Sequence, residues 1–394
     1  MYNIFMRSWF TLHKNKPQEI IAIDIGTASV SAALAHINTS GFIEIISVLR
    51  YPFDLLGDFT RSDRQKKVIY MLKNSIAKAF SDMHHISSST NSIRISFADP
   101  FFEEREIETI INRHDATKTI TEKEINMALV DTKGWIVLNS LNKSDGYDVL
   151  VNIVRKVTQL RVNGYIVSDA VGYRGDTLEI RVHELSISSV LRDCIIEQQD
   201  TFYPHSFLQY YSDVYLLRRA IFEKKINHMP ILVIDIGGEV TTLFVLKDFD
   251  IIQKCAPIFF GLRTLERRIA AFLKIDRTHA ESIVRQYADG TLDEALKKKI
   301  ESLLGAFLED WYAGLRASLK NALVRPAIVQ VMVVGSGKET SSFIKYLDLN
   351  IKEFSREELN IKTSAFSVET DLFLPQQSLS EGGDSILASL ILYG

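Results

Sequence analysis

The chain has 394 residues, 46% hydrophobic and 24% charged, with a formal net charge of −3. That length suggests two or three domains with a full core, and the near-balanced charge argues against a globally basic nucleic-acid binder. Cys194 and Cys255 are the only cysteines, so neither a disulfide framework nor a CxxC metal pair exists, and no apolar run reaches transmembrane length.

Residues 1–16, MYNIFMRSWFTLHKNK, form a distinct leader. On a helix, Tyr2, Phe5, Met6 and Trp9 share one face, and Arg7, Lys14 and Lys16 supply charge with no acid. An aromatic face beside cations suits an anionic membrane surface; a helix docked on the protein itself is the alternative. Arg7 and Ser8 interrupt the apolar stretch, which argues against a signal peptide.

After Pro17 comes IIAIDIGTASVSAAL, Ile20 to Leu34: a buried strand, Asp-Ile-Gly, a small-residue turn and a second strand. GFIEIISVLRY reads as a third strand. Arg61 to Met83 has helical spacing, with Val68, Met71, Leu72, Ile76 and Phe80 on the buried side. Ser87 to Asn91 is turn-like. SIRISFA, from Ser92, is an alternating strand that opens a second block. Within that block, Thr121 and Glu124 form a capping-box pattern and Asn163-Gly164 reads as a hairpin turn. A Gly-rich loop follows at Gly172–Gly175.

Ser206 to Lys225 is read as one helix, with Phe207, Tyr210, Val214, Leu217 and Ile221 along one side. ILVIDIGGEVTTLFVL, Ile231 to Leu246, then repeats the Asp-Ile-Gly hairpin. Leu292 to Leu323 is a long charged helix. VQVMVVGSGKET, Val329 to Thr340, runs a strand into Gly335-Ser336-Gly337. The chemistry of the hairpins is specific. An Asp at a strand end offers a carboxylate to a metal or its waters, the Gly after it permits a tight turn, and small residues present donors to an anion. Two such hairpins facing each other would hold a phosphate tail from both sides.

This spacing resembles the actin-like ATPases. The implied fold class is α/β: an actin-like (ribonuclease H-like) two-lobed ATPase fold with a small inserted α+β subdomain in the first lobe. RVNGYIVSDAVGYRGDTLEIRVH and ITEKEINMAL resemble the small subdomain of FtsA and PilM, with Ala170 at the family's proline. KDFDIIQKCAPIFFGLRTLERRIAAFLKIDRTHAESIVRQYADG matches FtsA at Pro257, Gly261, Thr264, Ile269, Leu273, Ala280-Glu281 and Gly290. The resemblance divides the chain into a leader (1–16), a first lobe (17–91), an insert (92–188), the first lobe continued (189–230), a second lobe (231–380, with a helical part at 256–325) and a returning C-terminal helix (381–394).

The resemblance implies ATP and Mg²⁺ as cofactors. Asp24 and Asp235 would serve the metal. Gly26, Thr27 and Ala28 form the first phosphate loop, Gly237, Gly238 and Thr241 belong to the second, and Gly335, Ser336 and Gly337 form the adenosine loop. Gln209 is a candidate for orienting the attacking water, and Arg263 or Glu281 for approaching the ribose or base. Two residues depart from the FtsA pattern: Glu239 stands at a glycine position and Thr242 at the final Asp. A carboxylate beside phosphates is repulsive unless it points away or meets the metal, so hydrolysis is expected to be slow at most.

The implied roles are an FtsA-like link between FtsZ-like division filaments and the cytoplasmic membrane, with self-association, or a PilM-like cytoplasmic adaptor of a type IV pilus machine. An ATP-binding scaffold without significant hydrolysis is a further alternative. The insert motif favours the first, and the Glu239 loop the second. FtsA continues past the equivalent of Gly394 to a membrane-binding helix, a function the leader is expected to supply here. A sugar kinase on the same fold is disfavoured because an interaction-type insert occupies its substrate region. A Walker motif fails at Met332 and Glu339, and no HExxH pattern exists.

Overall fold

The computed structural model describes residues 18–39, 42–53, 62–131, 149–223, 230–247, 250–320, 330–335, 338–357, 365–367 and 385–393; the leader, Ser336 and Gly337 lie outside them. The chain divides into two compact units.

The larger unit carries two five-stranded sheets. The first contains β1 (Gln18–Ile25), β2 (Ser29–Ile37), β3 (Ile43–Pro52), β4 (Ser92–Phe97) and β9 (Phe207–Ser212), in the order β3-β2-β1-β4-β9. The second contains β10 (Ile231–Ile236), β11 (Thr241–Lys247), β12 (Asp250–Lys254), β13 (Gln330–Gly335) and β14 (Ala365–Ser367), in the order β12-β11-β10-β13-β14. Each sheet begins as an antiparallel meander and continues with two parallel strands. The two lobes therefore share one strand order and one set of strand senses, with Asp24 and Asp235 at equivalent positions.

Helices cover these sheets. In α1 (Ser62–Ile86), Val68, Leu72, Ile76 and Phe80 are buried at helical spacing. In the second lobe α5 (Leu262–Leu273), α6 (Arg277–Asp289), α7 (Glu294–Lys320) and α8 (Ser341–Glu357) pack on β10 and its neighbours. Trp311 and Phe343 meet edge to face at 5.1 Å, and Phe307 meets Phe343 at 5.7 Å. These aromatic pairs fix α7 against α8.

The smaller unit comprises Asn38–Phe42 and Phe101–Glu197 among the described residues. Its sheet runs β5 (Phe102–Asn112), β8 (Thr177–Ser188), β6 (Leu150–Val162), β7 (Tyr165–Val167). One face holds Leu160, Val162, Leu178, Ile180 and Val182 around α2 (Glu122–Asp131). Thr121 caps α2 by accepting from Glu124 N–H at 3.3 Å, but Glu124 turns its carboxylate to Arg113 rather than back to the cap. Asn163 and Gly164 both have positive φ, 50° and 80°, as a two-residue hairpin turn requires.

Two boundaries differ from the sequence reading. The first lobe extends past residue 91, because Ser92–Phe97 pairs in parallel with β1 inside the first sheet. The separate unit starts only at Phe101. The single helix expected at 206–225 is instead β9 followed by α4 (Asp213–Glu223), with Ser212 Oγ accepting from Tyr215 N–H at 3.0 Å as the cap. Apolar spacing in a short stretch fits both periods, and the Ser-Asp pair marks the true start.

The last helix, α9 (Ser385–Tyr393), returns to the first lobe. Arg94, partly buried on β4, donates from Nη1 to the carbonyls of Leu390 (3.2 Å) and Ile391 (2.7 Å). A cation at helix carbonyls also meets the negative end of the macrodipole. Replacing Arg94 with Leu is expected to destabilise the chain by about 2–3 kcal/mol and to speed amide exchange in α9 selectively, measurable by urea unfolding and hydrogen exchange.

Candidate functional site between the two Asp-Ile-Gly hairpins

The two hairpins close identically. Gly26 N–H donates to Ser29 carbonyl at 3.1 Å, and Gly237 N–H donates to Val240 carbonyl at 3.0 Å. Asp24 pairs in register with Ser31, and Asp235 with Thr242, the same seven-residue separation. Asp24 is nearly buried, and Ser96 Oγ donates to its Oδ1 at 2.7 Å. Ser96 lies level with Asp24 on the neighbouring parallel strand, so the hydroxyl is delivered by register. Asp235 stands level with Val334. Both acids sit near the carboxyl ends of parallel strands, where open α/β sheets bind ligands.

The hairpins touch. Glu239 N–H donates to Thr27 Oγ1 at 3.0 Å. A Cβ added to Gly238 would overlap Ala28 Cβ, so only glycine permits this approach. Beside them, Asp99 bridges the lobes: Lys254 Nζ lies 2.9 Å from its Oδ1, and Thr242 Oγ1 donates to its Oδ2 at 3.2 Å. Asp99 follows Ala98, whose N–H donates to Ile25 carbonyl, so this carboxylate borders the first loop.

The second loop is mounted on α5. Leu262 N–H donates to Gly237 carbonyl at 3.2 Å and Arg263 N–H to Gly238 carbonyl at 2.7 Å. Glu239 does not face an empty groove with an unmatched charge. Arg267, one turn into α5, grips its two carboxylate oxygens with two nitrogens, each at 2.5 Å.

Two expected site residues are placed elsewhere. Thr241 is 0% exposed; its hydroxyl donates to Phe260 carbonyl at 2.6 Å and accepts from Trp311 Nε1 at 3.2 Å. Strand alternation explains this, since Thr242 shares a face with Asp235 and Thr241 must then point into the core. Gln209 sits on β9, not a helix, and accepts from Ser92 Oγ at 3.0 Å. Ser92 is four residues, roughly 13 Å, back along β4 from the Ser96 that holds Asp24. Gln209 itself stands level with Arg94, and its side chain turns toward Ser92, away from Ser96 and Asp24. Asp213, buried at the start of α4, follows Ser212 at the sheet end where Asp24 lies. It is the acid that sequence reading missed, together with Asp99 and Arg267.

Gly335 ends β13 level with Ile236, where a Cβ would collide with the Thr340 methyl. Arg263 and Glu281 meet each other at 2.9 Å within a cluster that includes Glu266, Arg277 and Arg285. Arg285 also approaches Glu339, just beyond the glycine turn, at 3.6 Å. Burial pushes the Glu281 carboxyl up, but Arg263, Arg277 and Arg285 outweigh it and hold the group below its usual value. Burial alone pushes the Cys255 thiol up to about 11, so it is an inert core group.

The donor set fits a magnesium nucleotide in kind: carboxylates at Asp24 and Asp235, and amides and a hydroxyl at the two turns. Its spacing fits only when Ala28 and Gly238 part, because their contact fills the gap between the loops.

No family model matches the chain, and no curated protein matches it. Solved structures do. The PilM-PilN type IV pilus biogenesis complex aligns at 13% identity and a TM-score of 0.52, over 96% of this chain and 97% of that one. The chain has the actin-like ATPase fold. More distant matches are the ethanolamine utilization protein EutJ from Carboxydothermus hydrogenoformans (13% identity, TM-score 0.45, 96% of this chain and 90% of that one) and MreB5 of Spiroplasma citri bound to ADP (12%, 0.41, 96% and 95%).

Gly238→Ala is expected to cost about 1–3 kcal/mol by overpacking, with most of the loss recovered in Gly238→Ala/Ala28→Gly; thermal or urea unfolding of the double-mutant cycle measures it. Because the folded-state pKa of Glu281 is depressed, its stabilisation is present above the unfolded value of about 4.3 and is lost as pH falls through the lower folded value. The melting-temperature gap between wild type and Glu281→Gln is expected to be open at pH 7 and to close on acidification.

Proposed function

We propose that this protein binds ATP with Mg²⁺ between its two lobes and uses lobe closure to control a partner at the cytoplasmic face of a membrane. The observation that carries the nucleotide reading is the duplicated Asp-Ile-Gly hairpin, brought loop to loop across two sheets of identical order. Asp24 and Asp235 would hold the metal through its waters. Amides of Thr27, Ala28, Gly238 and Glu239 would meet the phosphates, and the Gly335 turn would border the adenosine. Bound Mg²⁺ would neutralise phosphate charge. Turnover is slow in this reading, since Glu239 and Thr242 replace the glycine and the final Asp of the FtsA loop.

The whole-length match to the PilM-PilN complex supports a PilM-like adaptor that engages a PilN-type membrane protein. An FtsA-like role with FtsZ-like filaments and self-association is the second reading, favoured by the Asn163–His183 motif. Residues 1–16 would reinforce membrane contact in either case.

Titration with a fluorescent ATP analogue and Mg²⁺ tests the nucleotide reading. Saturable binding is expected for wild type, at least about tenfold weaker for Asp24→Ala, and near wild type for Gln209→Ala. Failure of wild type to bind at any concentration refutes it. Anisotropy with the cytoplasmic tail of a PilN-type protein, set against co-sedimentation with FtsZ filaments, separates the two partner readings.

A further inference from the structure

Arg267 is positioned as more than a structural counter-ion. Its side chain is 29% exposed, whereas the Glu239 side chain it grips is 5% exposed. Thr264 Oγ1 accepts from the same guanidinium at 3.3 Å and steadies it one turn back along α5. Both of its terminal nitrogens are occupied by one carboxylate, in the parallel two-bond geometry that guanidinium offers equally to carboxylate and phosphate. That carboxylate belongs to the tip of the second phosphate loop.

The surrounding backbone leaves little other room for adjustment. The loop carbonyls of Gly237 and Gly238 are tied to the first amides of α5, and Gly261 lies too close to them for any side chain. The loop cannot bend aside on its own. Two contacts can exchange: the guanidinium held by Glu239, and the Glu239 N–H held by Thr27. Each pairs a donor with an internal acceptor at the place where an external anion would bind.

We infer that Glu239 is a resident anion that the chain supplies to its own site, and that Arg267 is the cation an incoming phosphate captures from it. The ligand chemistry is a terminal phosphate, from a nucleotide or from free polyphosphate. The inference rests on the nucleotide reading for the identity of its ligand. A phosphate carries more charge than the carboxylate and reaches the same fork. As the loops part to admit it, Thr27 Oγ1 and Glu239 N–H become available beside Arg267.

Calorimetric titration of the full chain with tripolyphosphate, MgATP and adenosine tests this, on wild type, Glu239→Gln and Glu239→Gln/Arg267→Gln. The double variant removes both charges, so no buried ion is left unpaired. Removing the competitor is expected to tighten both phosphate ligands about tenfold in Glu239→Gln, a difference of about 1.4 kcal/mol. Adenosine binding should not change, and the gain should vanish in the double variant. A purely structural pair predicts equal or weaker binding in Glu239→Gln, and that result overturns the inference, as does a gain that survives in the double variant. If MgATP binds wild type and Glu239→Gln equally, the competitor role falls and the nucleotide reading stands. If tripolyphosphate shows the Arg267-dependent gain while MgATP binds no variant, the anion site stands and the nucleotide reading falls. Absence of binding by every ligand to every variant overturns both.

Discussion

The contact of Gly238 with Ala28 constrains the rest of the site. It brings the second Asp-Ile-Gly turn against the first and lets Glu239 N–H reach Thr27. Glu239 must then place its carboxylate somewhere, and α5 supplies Arg267. The same helix begins on the loop's carbonyls through its free N-terminal amides, the donors that a helix cannot satisfy internally. Loop and helix start thus act as one piece of the second lobe, with the ion pair laid across them. The first lobe meets it with a loop of equal length, held through Asp24 and Ser96.

The two lobes match in strand order but not in polarity at the key level. Across the first sheet, Arg50, Ser31, Asp24 and Ser96 form a polar row, with Arg50 Nε donating to Ser31 Oγ at 3.3 Å. The equivalent level of the second sheet has Thr242, Asp235 and Val334. Asp24 is therefore fixed by neighbours in its own sheet. Thr242, beside Asp235, is joined to the other lobe through Asp99, which also accepts Lys254. One acid is set by its scaffold, and the other stands at a bridge between scaffolds.

Much of this was legible from the residues. Alternating apolar strands ending in Asp-Ile-Gly are a local signal, since the strand period and the glycine turn are both local physics. The duplicated hairpins and the glycine-ended strand β13 follow from it, and the long helix α7 was legible separately as a charged helical stretch. Thr241 was also decidable in principle: counting faces outward from Asp235 turns it into the core. The helix expected at Ser206 failed because six residues of apolar spacing fit a strand equally well, and the cap at Ser212 was the better guide. Asp99, Asp213 and Arg267 were not legible. Their roles depend on partners that the fold supplies: Thr242 and Lys254 for Asp99, the end of the first sheet for Asp213, and the turn of α5 that lifts Arg267 onto Glu239.

The capping of α9 by Arg94 has a consequence for how the molecule is made. The guanidinium and its carbonyl acceptors are separated by 296 and 297 positions. During synthesis at about 5–20 residues per second, β4 waits on the order of a quarter of a minute to a minute before those carbonyls leave the ribosome. Until then the first sheet holds Arg94 without its helix, so its completion waits for the synthesis of α9 rather than for the emergence of its own strands.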